Sequence, residues 1–234
     1  MAVQVNAAEL KVFSTPAATA ALQAAMPEFE RTTGHTVKID FQNISKTRTR
    51  INNGDAFDIA VVSPKAVNDL QEQGKLAKDV SLNMGRTGLA IVGHKGLAKP
   101  DIGTVDAFKR TMLNAKLVAY SATGESGIGF LKVLDKLGIA ADMKPRIKAS
   151  PNMAETVESG EAPLGVTGIG AGLTYSQLDF IGPVPAGAQE YVYMAAGVSV
   201  NSKAGEAARA LIKYLADPAV VKLMNAKGLE PPAK

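Results

Sequence analysis

LKVFSTPAATAALQAAMPEFERTTGHTVKIDFQNISKTRTRINNGDAFDIAVV, running from Leu10 to Val62, is the stretch that decides the fold. Leu10 to Phe13 is a short apolar strand. Ser14, Thr15 and Pro16 follow, a helix start in which proline takes the first position after a hydroxyl cap. Ala18, Leu22, Ala25, Met26 and Phe29 recur at helical spacing until Gly34 closes the segment, with Pro27 expected to kink or split it. Val37, Ile39 and Phe41 then alternate with Lys38, Asp40 and Gln42, a strand over Thr36 to Gln42. Ser45 is expected to N-cap a helix running to about Asn53, with Gly54 as its left-handed stop. Phe57 to Val62 reads as a buried strand.

Strand, helix, strand, helix, strand implies a parallel sheet whose ligand sites lie at the carboxyl ends of the strands. Ser14, Thr15 and Ser45 fall at such ends. Helix N-termini there offer free N–H groups and the positive end of a dipole, and Lys46, Arg48 and Arg50 add cationic charge. On helical geometry not all three cations can face one place, and Lys46 and Arg48 are the favoured pair.

Outward from this stretch, Pro64 to Gln73 is a helix stopped by Gly74, and a polar connection leads to a strand over Thr87 to Val92. Gly93 to Pro100 is a loop. A second α/β unit follows: a helix near Val105 to Leu113, a strand over Lys116 to Tyr120, and the turn Ser121 to Gly127. The next helix is expected to bury Ile128, Leu131, Leu134 and Leu137. A strand near Arg146 to Ala149, a helix over Asn152 to Ser159, and a strand entering a glycine-rich turn at Gly165 to Gly172 come next. Tyr191 to Val200 is the last long strand, and two helices, from Ala204 and from Pro218, close the chain before Gly228. No internal sequence repeat is visible.

Composition narrows the function classes. With 234 residues and 46% hydrophobic content, the chain can fill one large core or two lobes. Its 26 basic and 22 acidic residues are interspersed, so the net +4 charge is not a nucleic-acid tail, and it favours an anionic ligand only weakly. No cysteine is present, which removes disulfides, thiolate metal sites and cysteine nucleophiles. No apolar run approaches the roughly 18 residues that span a bilayer. Met1 to Glu9 lacks the basic and apolar regions of a signal peptide, so export would require a leader already removed.

His35 after Gly34 and His94 in the loop read as exposed turn residues, and neither has an acidic neighbour suited to a metal; no metal and no cofactor are expected. The turn at Ser121 to Gly129 lacks the Lys-Ser/Thr ending of a phosphate-binding loop and is expected to be a plain helix-start anion seat. Glu125 in that turn could orient a hydroxyl, act as a base or form a salt bridge.

Three stretches resemble the type II periplasmic solute-binding proteins, in the branch typified by the molybdate-binding protein: LKVFSTPAATAALQAAMPEFERTTGHTVKIDF, ISKTRTRINNGDAFDIAVVS and the tail AGEAARALIKYLADPAVVKLMNAKGLEP. The resemblance implies an α/β fold of two lobes joined by two crossover strands, with the ligand in an interlobe cleft. Lobe one would be residues 1–83 and 195–234, lobe two residues 84–194, and the crossings would lie near Met84 to Leu89 and Tyr193 to Val198. The family binds its anion without metal, through hydroxyls and N–H groups of both lobes.

Carried over by position, the first-turn serine falls at or near Ala17, leaving Ser14 or Thr15 to substitute. The second serine falls on Ser45. The lobe-two turn maps to Glu125, Ser126 and Gly127, and the next helix start to Asn152 and Met153. The oxyanion-binding tyrosine maps to about Gly168. With hydroxyls missing at Ala17 and Gly168 and cations at Lys46 and Arg48, a di- or tricarboxylate fits better than a tetrahedral oxyanion.

The resemblance thus implies a periplasmic, monomeric receptor that closes on a small organic anion and presents it to a membrane transporter permease, with no nucleic-acid partner. The alternative is an isomerase of the aconitate isomerase kind, shifting a C=C bond within a tricarboxylate, with Lys46, Glu125 or a Ser, Thr or Tyr hydroxyl as proton carrier.

Overall fold

A computed structural model describes residues 7–232. Residues 1–6, within the stretch read above for a leader, lie outside the described part. In chain order the elements are β1 (Glu9–Ser14), a 3-10 turn (Pro16–Ala18), α1 (Thr19–Thr33), β2 (Thr36–Phe41), α2 (Ile44–Asn52), β3 (Ile59–Val62), α3 (Pro64–Glu72) and β4 (Leu76–His94). There follow α4 (Val105–Asn114), β5 (Val118–Ser121), α5 (Glu125–Lys136), α6 (Ala140–Met143), β6 (Ile147–Ser150), α7 (Met153–Glu158), β7 (Leu164–Gly168), α8 (Ile169–Gly172) and β8 (Leu178–Pro183). The chain ends with β9 (Tyr191–Ser199), α9 (Gly205–Leu215) and α10 (Pro218–Asn225). Contacts divide it into two units, Met1–Arg86 with Tyr193–Lys234, and Thr87–Val192. β4 and β9 are the strands by which the chain passes from one unit to the other.

In the first unit β1 lies between β2 and β3, parallel to both, and β9 runs antiparallel beside β3. In the second, β5 lies between β6 and β7, parallel to both, and β4 runs antiparallel beside β7. The two units therefore share one strand plan without a visible sequence repeat. The reason is that the plan asks only for strand periodicity and right-handed crossover helices, which many sequences satisfy. β8 pairs antiparallel with β4 and had no sequence signal: its LDFIGP contains Gly182 and Pro183, both poor strand residues.

Four expectations are corrected by the packing. Pro27 does not split α1, which runs unbroken for 15 residues. Pro27 and Gln23 are both exposed, so the Gln23 carbonyl that loses its helical partner can bond water. The polar connection before Thr87 is the first half of β4, a 19-residue strand, and its Asp79 is taken by Arg209 of α9 at 2.9 Å. On α5 the buried residues are Gly127, Phe130, Val133 and Leu134, while Ile128 and Leu131 are 50% and 37% exposed. A strict three-residue spacing drifts off a helix face that turns every 3.6 residues. Finally His35 is buried, accepting the Ala8 N–H at Nδ1 (3.1 Å) beside the Phe29 ring, and His94 is a half-buried strand residue.

Candidate anion seats of the two units

The seat of the first unit is built from the ends of β1, β2 and β3. Ser14 and Thr15 are buried. The Ser14 hydroxyl donates to the Thr15 carbonyl (3.2 Å), and Thr15, although extended ahead of the Pro16 turn, makes no side-chain cap. Ala17 is buried and apolar. At the end of β2 the cap is Asn43, one of the residues passed over in the sequence: its Oδ1 accepts the Lys46 N–H at 2.9 Å and its carbonyl accepts that of Thr47. Ser45 is therefore the second residue of α2, not its cap. Its N–H and that of Ile44 have no acceptor within the helix, and its side chain is exposed rather than folded back on the turn. Ser63, at the end of β3, caps α3 without a side-chain bond and was also missed, although its place between an apolar strand and Pro64 is a usable signal.

The cations divide sharply. Arg50 is spent on Asp40, Asp55 and Gln42 and lies 4.2 Å over the Phe13 ring, and hydrogen bonds to Asp55 and then Asp40 hold its charge. Arg48 is paired with Asp69, which Lys65 also holds at 2.8 Å. The Lys65 hydrogen bond is the largest cause that keeps the Asp69 carboxyl below the usual carboxylate range; burial opposes it, and Arg48 adds a lesser pull in the same direction as Lys65. Lys46 is exposed and makes no ion pair among the described residues. Of the two favoured cations, the structure leaves Lys46 available and commits Arg48 to a carboxylate of the protein.

The seat of the second unit is made of backbone. Gly124 caps α5, its N–H bonded to Ser121 Oγ at 3.1 Å and its carbonyl accepting the N–H groups of Gly127 and Ile128. Glu125 and Ser126 are the first two residues of α5, where a helix presents its N–H groups outward. Gly127 is required: a Cβ there would stand 1.8 Å from the Ser121 carbonyl oxygen, so helix and strand end meet this closely only without a side chain. Glu125 is half-buried at the first position of α5.

At α7 the Asn152 side chain is occupied by capping, accepting the Glu155 N–H (3.3 Å) and donating to Glu155 Oε2 (3.0 Å). Met153 is a core side chain, packed with Val157 and Ala162, so at most its backbone could serve a ligand. Gly168 opens α8 after β7. The nearby phenol is that of Tyr175, hydrogen-bonded to Thr167 and packed against the Met153 cluster; burial pushes it up and the Thr167 bond works the other way. No group of three or more His, Asp or Glu side chains able to hold a metal lies among the described residues.

Two helix-start seats at the carboxyl ends of parallel strands, one in each α/β unit, suit an anion. Residues 10–230 match the sequence model of the family described as bacterial extracellular solute-binding protein. The chain belongs to that family. This solute-binding protein is 30% identical over 235 residues to the aconitate isomerase of a Pseudomonas species, covering 95% of this chain and 87% of the relative. It is 26% identical over 239 residues to the molybdate-binding protein ModA of Azotobacter vinelandii, with coverages of 97% and 92%. The solved periplasmic molybdate-binding protein of Azotobacter vinelandii superposes with a TM-score of 0.81 at 19% identity, over 96% of this chain and all of that one. The fold is that of the type II periplasmic binding proteins.

Proposed function

We propose that this protein is a periplasmic receptor for a small di- or tricarboxylate, bound at a donor-bearing helix-start turn such as that of α2 and delivered to a membrane permease. The observation that carries the carboxylate reading is the composition of the first seat. Lys46 is a cation that makes no ion pair among the described residues, in the first turn of α2, where Ile44 and Ser45 are the leading residues, while Ala17 offers no hydroxyl. A buried oxyanion oxygen left without a donor costs about 1–3 kcal/mol, so a tetrahedral oxyanion would lose affinity wherever Ala17 and Gly168 stand in place of hydroxyls. A carboxylate gains instead from a charge-assisted bond to the ammonium. The likeness to a protein named for its action on aconitate, a tricarboxylate, supports the same ligand class. Binding energy that favours a closed form would bias the receptor toward it.

The test is a thermal-shift and calorimetric panel of molybdate, sulfate, malate, citrate and the two aconitates. Tricarboxylates should raise the melting temperature, with about 2.7 kcal/mol of stabilisation at a hundredfold excess over Kd. Strong stabilisation by molybdate with none by carboxylates would overturn the reading.

A second reading is favoured by one observation, the 30% identity to aconitate isomerase. In it a base takes a proton from the methylene carbon of aconitate, the electron pair shifts into the allylic system, and a proton returns at the far carbon. Glu125, half-buried at the start of α5, is the candidate carrier, and Lys46 the candidate charge facing the enolate-like intermediate. Purified protein incubated with cis-aconitate should form the trans isomer, with solvent deuterium incorporated in D2O; interconversion no faster than the uncatalysed background removes this reading.

A further inference from the structure

The second unit carries a groove that the anion seats do not use. It lies at the amino ends of the strands: Leu164 opens β7 and Ala115 precedes β5, whereas Glu125, Ser126 and Gly168 lie at the carboxyl ends. Its volume is ≈ 430 Å³. One wall is a single face of α4, Ala107, Arg110, Thr111 and Asn114, at the 3, 4 and 7 spacing of a helix stripe. The other is the loop from Leu97 to Asp101, and the floor is apolar, with Leu164 and Ala107 both buried.

The walls are fixed relative to each other. Thr111 Oγ1 donates to the Asp101 carbonyl at 2.7 Å, the Gly103 N–H is held by Asp101 Oδ1 at 2.9 Å, and Pro100 and Pro163 stiffen the rim. Arg110 and Asp101 both line this groove, yet among the described residues neither makes an ion pair, with the other or elsewhere. A base and an acid thus line one groove together with apolar residues.

We propose that this groove binds a zwitterion with an apolar body, a free α-amino acid of the leucine kind. Its carboxylate lies on the Arg110 guanidinium beside the Asn114 amide, its ammonium on the Asp101 carboxylate, and its side chain on Leu164 and Ala107. A plain carboxylate of the same shape meets the uncompensated charge of Asp101, and a plain amine meets that of Arg110; only the zwitterion satisfies both.

The experiment is a 1H–15N chemical-shift titration of the whole chain with L-leucine, 4-methylpentanoate and 3-methylbutylamine. Leucine should move the amides of Leu97 to Asp101, Ala107 to Ala115 and Leu164 to saturation, and each single-charge analogue should bind about tenfold more weakly or worse. Arg110→Gln, at an exposed position that leaves the fold intact, should abolish the leucine shifts, and Asp101→Asn, which keeps an acceptor for Gly103, should weaken leucine while strengthening 4-methylpentanoate. Leucine shifts that are absent, that fall only on Ile44, Ser45, Glu125 and Ser126, that persist in Arg110→Gln, or that both analogues match would each overturn the proposal.

Discussion

The two units use one strand plan to make two unlike seats. In the first, the turn after the central strand is Ser14-Thr15-Pro16-Ala17, the neighbouring helix is capped by a side chain, and the charge nearby is a lysine. In the second, the corresponding turn is capped by glycine, closed by a second glycine, and carries a glutamate. The first seat supplies charge and hydroxyls, and the second supplies backbone donors at close range together with an acid.

The largest effect that would break this contrast is expected from Gly127→Ala. A Cβ 1.8 Å from the Ser121 carbonyl forces α5 away from β5, a loss on the order of 3 kcal/mol readable by urea unfolding. If Gly127→Ala is neutral, the second seat does not depend on close backbone approach. Next comes Lys46→Met, which should leave the melting temperature unchanged while weakening a tricarboxylate by about ten- to a hundredfold in calorimetry. Unchanged affinity would place the charge of the first seat elsewhere.

Asn43→Ala should cost about 1 kcal/mol of stability, and Ser45→Ala almost none, because only Asn43 bonds the Lys46 N–H. The reverse order would restore Ser45 as the cap. The smallest effect concerns Asp69. Its carboxyl is held below its unfolded value of about 3.9 by Lys65 and Arg48, so its contribution is complete above that pH and is lost as pH falls through the folded value. Acid titration of stability in Asp69→Asn should lack this component, and the same variant, by releasing Arg48, should bind carboxylates at least as well as the native chain.

Much of this architecture was legible in the sequence. The change of period from two to 3.6 and back marks β1, α1, β2, α2 and β3, and Gly34, Gly54 and Gly74, all at positive φ, mark where helices stop. β4 and β8 were not fully legible for a physical reason. Lys78 and Asp79 interrupt the apolar pattern of one strand, and Gly182 and Pro183 dilute the other, so pairing with neighbours, not local preference, makes them strands. The buried face of α5 was misread for a related reason, since several apolar residues compete for one stripe and only packing selects Phe130 over Ile128.

By itself, then, the sequence determined two α/β halves with hydroxyl- or glycine-bearing turns at strand ends, because periodicity and turn chemistry are local properties. Tertiary structure decided which groups in those turns remain available. Arg48 is taken by Asp69, 21 residues away, and Arg50 by Asp40 and Asp55, while Lys46 makes no ion pair among the described residues. Ion pairs form between elements that only the fold brings together, so three neighbouring cations that look equivalent along the chain end with different partners.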